Sequence, residues 1–150
     1  MSRKNKKVKG KVFTALERVS IDNNPDDCFF MWNINQDWIN MIDDNLGWHN
    51  LDSKDLILDI ICKLKQFEKL KWSEIKNLQS CHTLPIEKID TYARKVWKKS
   101  NLEEFNDQLF QIRISKANRV FGIIEKNIFY LLWNDPNHKV YPMDTTDNKN

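Results

Sequence analysis

The chain has 150 residues, 41% of them hydrophobic and 30% charged, with a formal net charge of +3. That length fits one domain able to bury about two-thirds of its unfolded surface without disulfides or metal. The longest apolar run, Ile128 to Trp133, is far short of the ~20 residues that span a bilayer, and no apolar segment follows the basic start, so neither a membrane span nor a secretory signal is expected.

Residues 1 to 27 read as a basic segment, disordered or loosely helical. Its first 11 residues carry Arg3, Lys4, Lys6, Lys7, Lys9 and Lys11 without an acid, and a weak helix over Lys11 to Val19 and a turn at Asn23-Asn24-Pro25-Asp26-Asp27 follow. Residues 28 to 142 form a single α+β domain. Cys28 to Ile34 is its first strand, aromatic-rich and short. Asp37 to Trp48 stays ambiguous, since Trp38, Met41 and Ile42 have helical spacing but Gly47 and three acids interrupt it. Ser53 is the expected N-cap of a helix over Lys54 to Lys69, whose stripe of Leu56, Ile57, Ile60, Ile61, Leu64 and Phe67 should pack on a sheet. A short turn from Glu74 to Leu78, capped by Ser73, leads to a loop over Gln79 to Thr83. Pro85 then opens a second main helix, Ile86 to Lys99. That helix turns Ile89, Ala93, Val96 and Trp97 inward and Lys88, Arg94, Lys95, Lys98 and Lys99 outward, either as a solvated face or as an RNA backbone contact. Both helices are expected on one face of an antiparallel sheet of about four strands. Residues 143 to 150 read as a frayed tail.

Three of those strands are consecutive: 109–115, 119–125 and 128–134. Phe110, Ile112 and Ile114 alternate with Gln111, Arg113 and Ser115, the period of a strand with one buried face. Lys126-Asn127 suits a two-residue hairpin turn, because Asn tolerates positive φ. Pairing Glu125 with Ile128 sets Gly122 opposite Leu131, Val120 opposite Trp133 and Arg119 opposite Asn134. Arg113, Lys116 and Arg119 then share one sheet end with Asn134, Asp135 and His138. Both faces of this sheet are apolar, so a cover is expected from the N-terminal segment, a protein partner or a second copy of the chain.

Charge is also divided along the chain. Residues 22 to 59 hold nine Asp against Lys54 alone, whereas residues 60 to 126 are net basic. The basic part can meet phosphate while the acidic part faces water or a basic partner.

Five motifs carry a family resemblance: Trp72-Ser73-Glu74-Ile75, Cys81-His82, Leu109-Phe110 with Arg113, Arg119-Val120-Phe121-Gly122, and Trp133-Asn134-Asp135-Pro136-Asn137-His138-Lys139-Val140-Tyr141-Pro142. Together they resemble a phage- and plasmid-associated subset of the RelE/ParE-like toxin superfamily, over roughly residues 28 to 142. The resemblance implies a RelE-like fold, cleavage of messenger RNA, either free or ribosome-bound, and a protein antitoxin as partner. It also implies site residues on the sheet, for which Arg113, Arg119, His138 and Tyr141 are the candidates.

The chemistry of those residue types agrees with that implication. Cleaving an RNA phosphodiester without metal requires cations for the phosphorane charge and a group that moves a proton. Arg113 and Arg119 can hold the phosphate, His138 can act as acid or base, and Tyr141 can hydrogen-bond or stack on a base. Lys116, His82, Arg94 and Lys98 are the further candidates for binding the strand. A purely structural reading is open too, in which Arg113 and Arg119 pair with Asp135 or Glu104 and His138 caps a turn. An open groove would favour the first reading and a salt-bridged, buried cluster the second. No cofactor or metal is expected: the only glycines are Gly10, Gly47 and Gly122, and His49, His82 and His138 lack zinc-motif spacing. Cys28, Cys62 and Cys81 have no C-x-x-C spacing, which fits reduced thiols in a cytoplasmic protein, each a small core residue rather than a nucleophile.

Overall fold

The computed structural model describes residues 24–102 and 108–142, so the expectations for the basic N-terminal segment, Glu104 and the tail from 143 lie outside the described residues. The fold is α+β. Five strands, β1 Met31–Ile34, β2 Cys81–Pro85, β3 Gln108–Arg113, β4 Arg119–Glu125 and β5 Ile128–Asp135, form one sheet in the order β1-β5-β4-β3-β2. The central ladders are antiparallel, but β1 runs parallel to β5, pairing Met31 with Ile128 and Ile34 with Leu131. The sheet is therefore mixed and five-stranded rather than antiparallel and four-stranded. A parallel pair needs a long crossover, and nearly the whole domain intervenes between β1 and β5.

The fifth strand is β2, where a loop and the start of a helix were expected. Cys81 pairs with Ile112 and Pro85 with Gln108 at the sheet edge, a position that tolerates proline at a strand end. The second main helix consequently starts later than Pro85. Asp90 accepts a hydrogen bond from the Tyr92 N–H at 2.8 Å and caps α3, Thr91–Lys99. The first helix, α1, runs through Ser53–Asp55, a π-helical segment Leu56–Ile61, and Cys62–Phe67. Its cap is Asp52, not Ser53, with the Asp52 carboxylate accepting from the Lys54 N–H at 2.8 Å. The wider π turn shifts the phase of the apolar stripe, so Ile60, Leu64 and Phe67 are buried while Ile57 is exposed. A short helix, α2 (Trp72–Lys76), follows, its Glu74 carboxylate accepting from the Lys71 N–H.

The helices lie on opposite faces of the sheet, not on one. Ile60, Leu64 and Phe67 of α1 and Trp72 and Ile75 of α2 share a core with Phe110, Ile112, Val120, Phe129 and Leu131. Ala93, Val96 and Trp97 of α3 share the other with Leu109, Phe121, Ile123, Leu132 and Trp133. The sheet's second apolar face is thus covered from within the chain. The reason is the alternation of strands that are apolar on both sides, which gives each helix its own face to bury.

The hairpin turn has the expected geometry, with φ of 50° at Lys126 and 66° at Asn127. Its register matches expectation from Glu125–Ile128 to Gly122–Leu131 and then slips by one residue. Phe121 faces Trp133, Val120 faces Asn134 and Arg119 faces Asp135, because Leu132 is the extra residue of a bulge. The bulge puts Leu132 and Trp133 consecutively into the α3-side core. Backbone groups of β5 beyond the end of β1 are satisfied by the 40–48 loop. Leu132 O accepts from Asn40 N–H and from the Trp48 indole at 3.0 Å, and Asn134 N–H donates to Leu46 O at 3.1 Å.

Candidate nucleic-acid interface

The site forms where β3 and β4 end beside the turn that leaves β5. Alternation places Gln111 and Arg113 on the face of Leu109, and Arg119 on the face of Phe121, which is the α3 side. Arg113 and Arg119 are direct cross-strand partners, and Asp135 flanks Arg119 on its other side. His82 on β2 lies opposite Gln111. These positions follow from strand register alone.

The remaining wall is built by Asp135. Its carboxylate is fully buried and accepts from Lys139 N–H at 2.9 Å and Val140 N–H at 3.0 Å, folding the chain back over the strand end. Val140 is buried in the α3-side core, and its carbonyl accepts from Asp90 N–H at 2.8 Å, so the turn is tied to the start of α3. His138 sits inside this turn at φ 55°, a left-handed conformation that costs a non-glycine residue about 1–2 kcal/mol. The strain brings its ring to Arg119, with Nη1 and Nε2 2.8 Å apart.

A guanidinium only donates, so Nε2 accepts and the imidazole proton sits on Nδ1. That Nδ1 is buried without a partner. Arg119 is itself buried, and its guanidinium pKa is pushed below the ordinary value by desolvation and then by Arg113, with Asp135 opposing. It remains a cation at neutral pH. Among the described residues neither Arg113 nor Arg119 forms a salt bridge, since the Asp135 oxygens are taken up by the turn.

A groove of about 430 Å³ opens over this cluster, and His82, Gln111, Arg113, Arg119, His138 and Tyr141 line it together with Thr83 and Leu84. Five of the eight candidate residues are thereby brought together. Three are not. Lys116 is exposed in the β3–β4 loop outside the groove, and Arg94 and Lys98 lie on α3 away from it, Arg94 reaching Thr91 Oγ1 at 3.4 Å. Gln111 was not among the candidates, although its two-residue spacing from Arg113 placed it on the same face. His82 contributes from a strand rather than from the expected loop.

Other chemistry is sparse. Cys81 is buried, which raises its thiol pKa and suits a core residue, whereas Cys62 is exposed on α1, contrary to expectation. Among the described residues no group of three His, Cys, Asp or Glu side chains is placed to hold a metal ion, and no helix is long and apolar enough to cross a membrane.

No curated protein and no solved structure matches the chain. A family model described as Uncharacterised protein UU032 matches residues 28–150, a span that takes in every wall of the groove, and the chain belongs to that family.

Proposed function

We propose that the groove binds an RNA phosphodiester and cleaves it without a metal ion, in a cytoplasmic, toxin-like endoribonuclease of the RelE/ParE kind that is carried on a mobile element and restrained by a protein antitoxin. The observation that carries this reading is the open groove in which two guanidinium groups free of carboxylate pairing meet an imidazole. Entry of a phosphate draws the Arg119 N–H groups onto its oxygens and releases His138 Nε2. The freed Nε2 takes the proton of the 2′-hydroxyl, the 2′-oxygen attacks phosphorus, and the bond to the 5′-oxygen breaks. His82, the second imidazole in the groove, acts as an imidazolium and gives its proton to that leaving oxygen, while His138 keeps the proton it has taken. The products are a 2′,3′-cyclic phosphate and a 5′-hydroxyl. Arg113 and Arg119 stabilise the phosphorane charge, while Gln111 and Tyr141 hold the adjoining base or sugar.

The antitoxin, or a second copy, is not required to cover a sheet face. Exposed Ile57 and Leu58 on α1 offer an alternative docking point. A second reading, a catalytically silent member of the same fold that binds nucleic acid or a protein, draws support from the burial of Arg119 and its direct contact with His138. Induced expression separates the two. Growth arrest with RNA cleavage in vitro, both lost in His138→Ala, supports the enzyme. A folded wild type that arrests nothing and cleaves nothing, with or without ribosomes, leaves only the binding role.

A further inference from the structure

The groove over Arg113 and Arg119 is not isolated. His138 also lines a second groove of about 400 Å³, together with Asn137, Lys139 and Tyr92. Tyr92 in turn lines a third, of about 490 Å³, with Lys95, Lys99 and Ser100 of the α3 flank. The three depressions are therefore neighbours, the first and second sharing His138 as a wall and the second and third sharing Tyr92. Cations recur along the whole path: Arg113 and Arg119, then Lys139, then Lys95 and Lys99, and among the described residues none of these five forms a salt bridge.

Aromatic rings punctuate the same path. Tyr141 is 44% and Tyr92 39% exposed. The Tyr92 hydroxyl donates to the Asp43 carboxylate, which fixes the ring as the wall between the second and third grooves. Two acids stand on these walls, but both accept protein hydrogen bonds: Asp43 from Tyr92 and the N–H groups of Asn45 and Leu46, and Asp90 from the Tyr92 N–H. Recurring cations alternating with exposed rings are the recognition pattern of a single strand, whose phosphates follow the charges and whose bases stack.

We infer that the three grooves form one track for single-stranded RNA, running from the Arg113–Arg119 cluster past His138 and Tyr92 to Lys95 and Lys99, so that the α3 flank binds the strand at a distance from the bond that is cut. The inference rests on the proposed reading of the first groove as an RNA site. It narrows the contact expected from the basic face of α3 to Lys95 and Lys99, leaving out Arg94 and Lys98.

The test uses the full chain, the double variant Lys95→Gln/Lys99→Gln, a labelled unstructured RNA of about 12 nucleotides, within the roughly 4–16 that single-strand modules occupy, and a dinucleotide. Both lysines are exposed, and circular dichroism with thermal melting establishes that the variant is folded. The expected result is weaker binding of the long RNA, with the slope of log K against log salt reduced in magnitude by about 0.7 per lost contact, hence about 1.4. Dinucleotide cleavage stays unchanged. Equal affinity and slope for variant and wild type overturn the track, as does an acidic peptide of matched charge binding as tightly as the RNA. Wild type that binds the long RNA with the expected variant effect but never cleaves the dinucleotide supports the track and removes the catalytic reading. Wild type that binds no RNA overturns both.

Discussion

At the scale of single residues, Asp135 organises the groove without lining it. It is fully buried and its two oxygens receive the amides of Lys139 and Val140, so the position of His138 depends on it. Replacing it by alanine leaves the buried Val140 N–H unsatisfied, a cost of about 1–3 kcal/mol, and removes the acceptor of the part-buried Lys139 N–H. Asp135→Ala is expected to lower the midpoint of urea unfolding and to broaden or shift the His138 imidazole resonance. A variant with wild-type stability and an unmoved His138 signal would show that the turn holds without its carboxylate. Asp43 makes a pH-dependent contribution. Desolvation acts to raise its pKa, but hydrogen bonds from Tyr92 and from the amides of Asn45 and Leu46 prevail and hold it below the ordinary 3.8. A depressed carboxylate stabilises the fold above its unfolded pKa and loses that contribution as pH falls through the folded value. The stability gap between wild type and Asp43→Asn should therefore be present at neutral pH and close as pH drops from about 3.8 downward. A gap that persists in strong acid would point to packing instead of ionisation.

At the scale of elements, the β4–β5 hairpin shows how far a sequence can be read. Asn127 after Lys126 marked the turn, and alternation carried the pairing as far as Gly122–Leu131. The bulge at Leu132 was not legible, because its cause lies in the 40–48 loop, whose Asn40 and Trp48 bind Leu132 O from 84 to 92 residues away in sequence. That one-residue slip replaces Asn134 by Asp135 opposite Arg119 and moves Trp133 to the other face. β2 was missed for a related reason. Cys81 and Leu84 bury on opposite faces while His82 and Thr83 between them are exposed, so no period of two marks the strand. The helical stripe of α1 was readable, whereas the π segment that exposes Ile57 was not, since 3.6-residue spacing was assumed. At Gly122 the close approach comes from the Phe129 ring and the Tyr130 carbonyl of the neighbouring strand, which an added Cβ would meet. Gly122→Ala should destabilise the domain by about 1–3 kcal/mol through overpacking against a backbone atom that cannot retreat. An unchanged melting temperature would mean that the hairpin shifts freely at this point.

At the scale of the molecule, a mixed sheet clothed on both faces leaves one strand end open, and there the β3–β4 pair, the edge strand β2 and the 135–140 turn supply the groove. The convergence of Arg113, Arg119 and His138 was legible in the strand order, because consecutive antiparallel strands joined by short loops must share an end. Which other cations join them was not legible, since that depends on the side of the sheet α3 packs against. The most direct measurement of the central claim is single-turnover cleavage of a short RNA by wild type, Arg119→Ala and His138→Ala, alongside their unfolding curves. Loss of one donor from a preorganised site typically costs ~10²–10³ in rate. The account predicts a 2′,3′-cyclic phosphate product from wild type and a loss of that order in each variant while the variants stay folded. RNA left intact by wild type, or cleaved equally fast by folded Arg119→Ala and His138→Ala, would contradict it.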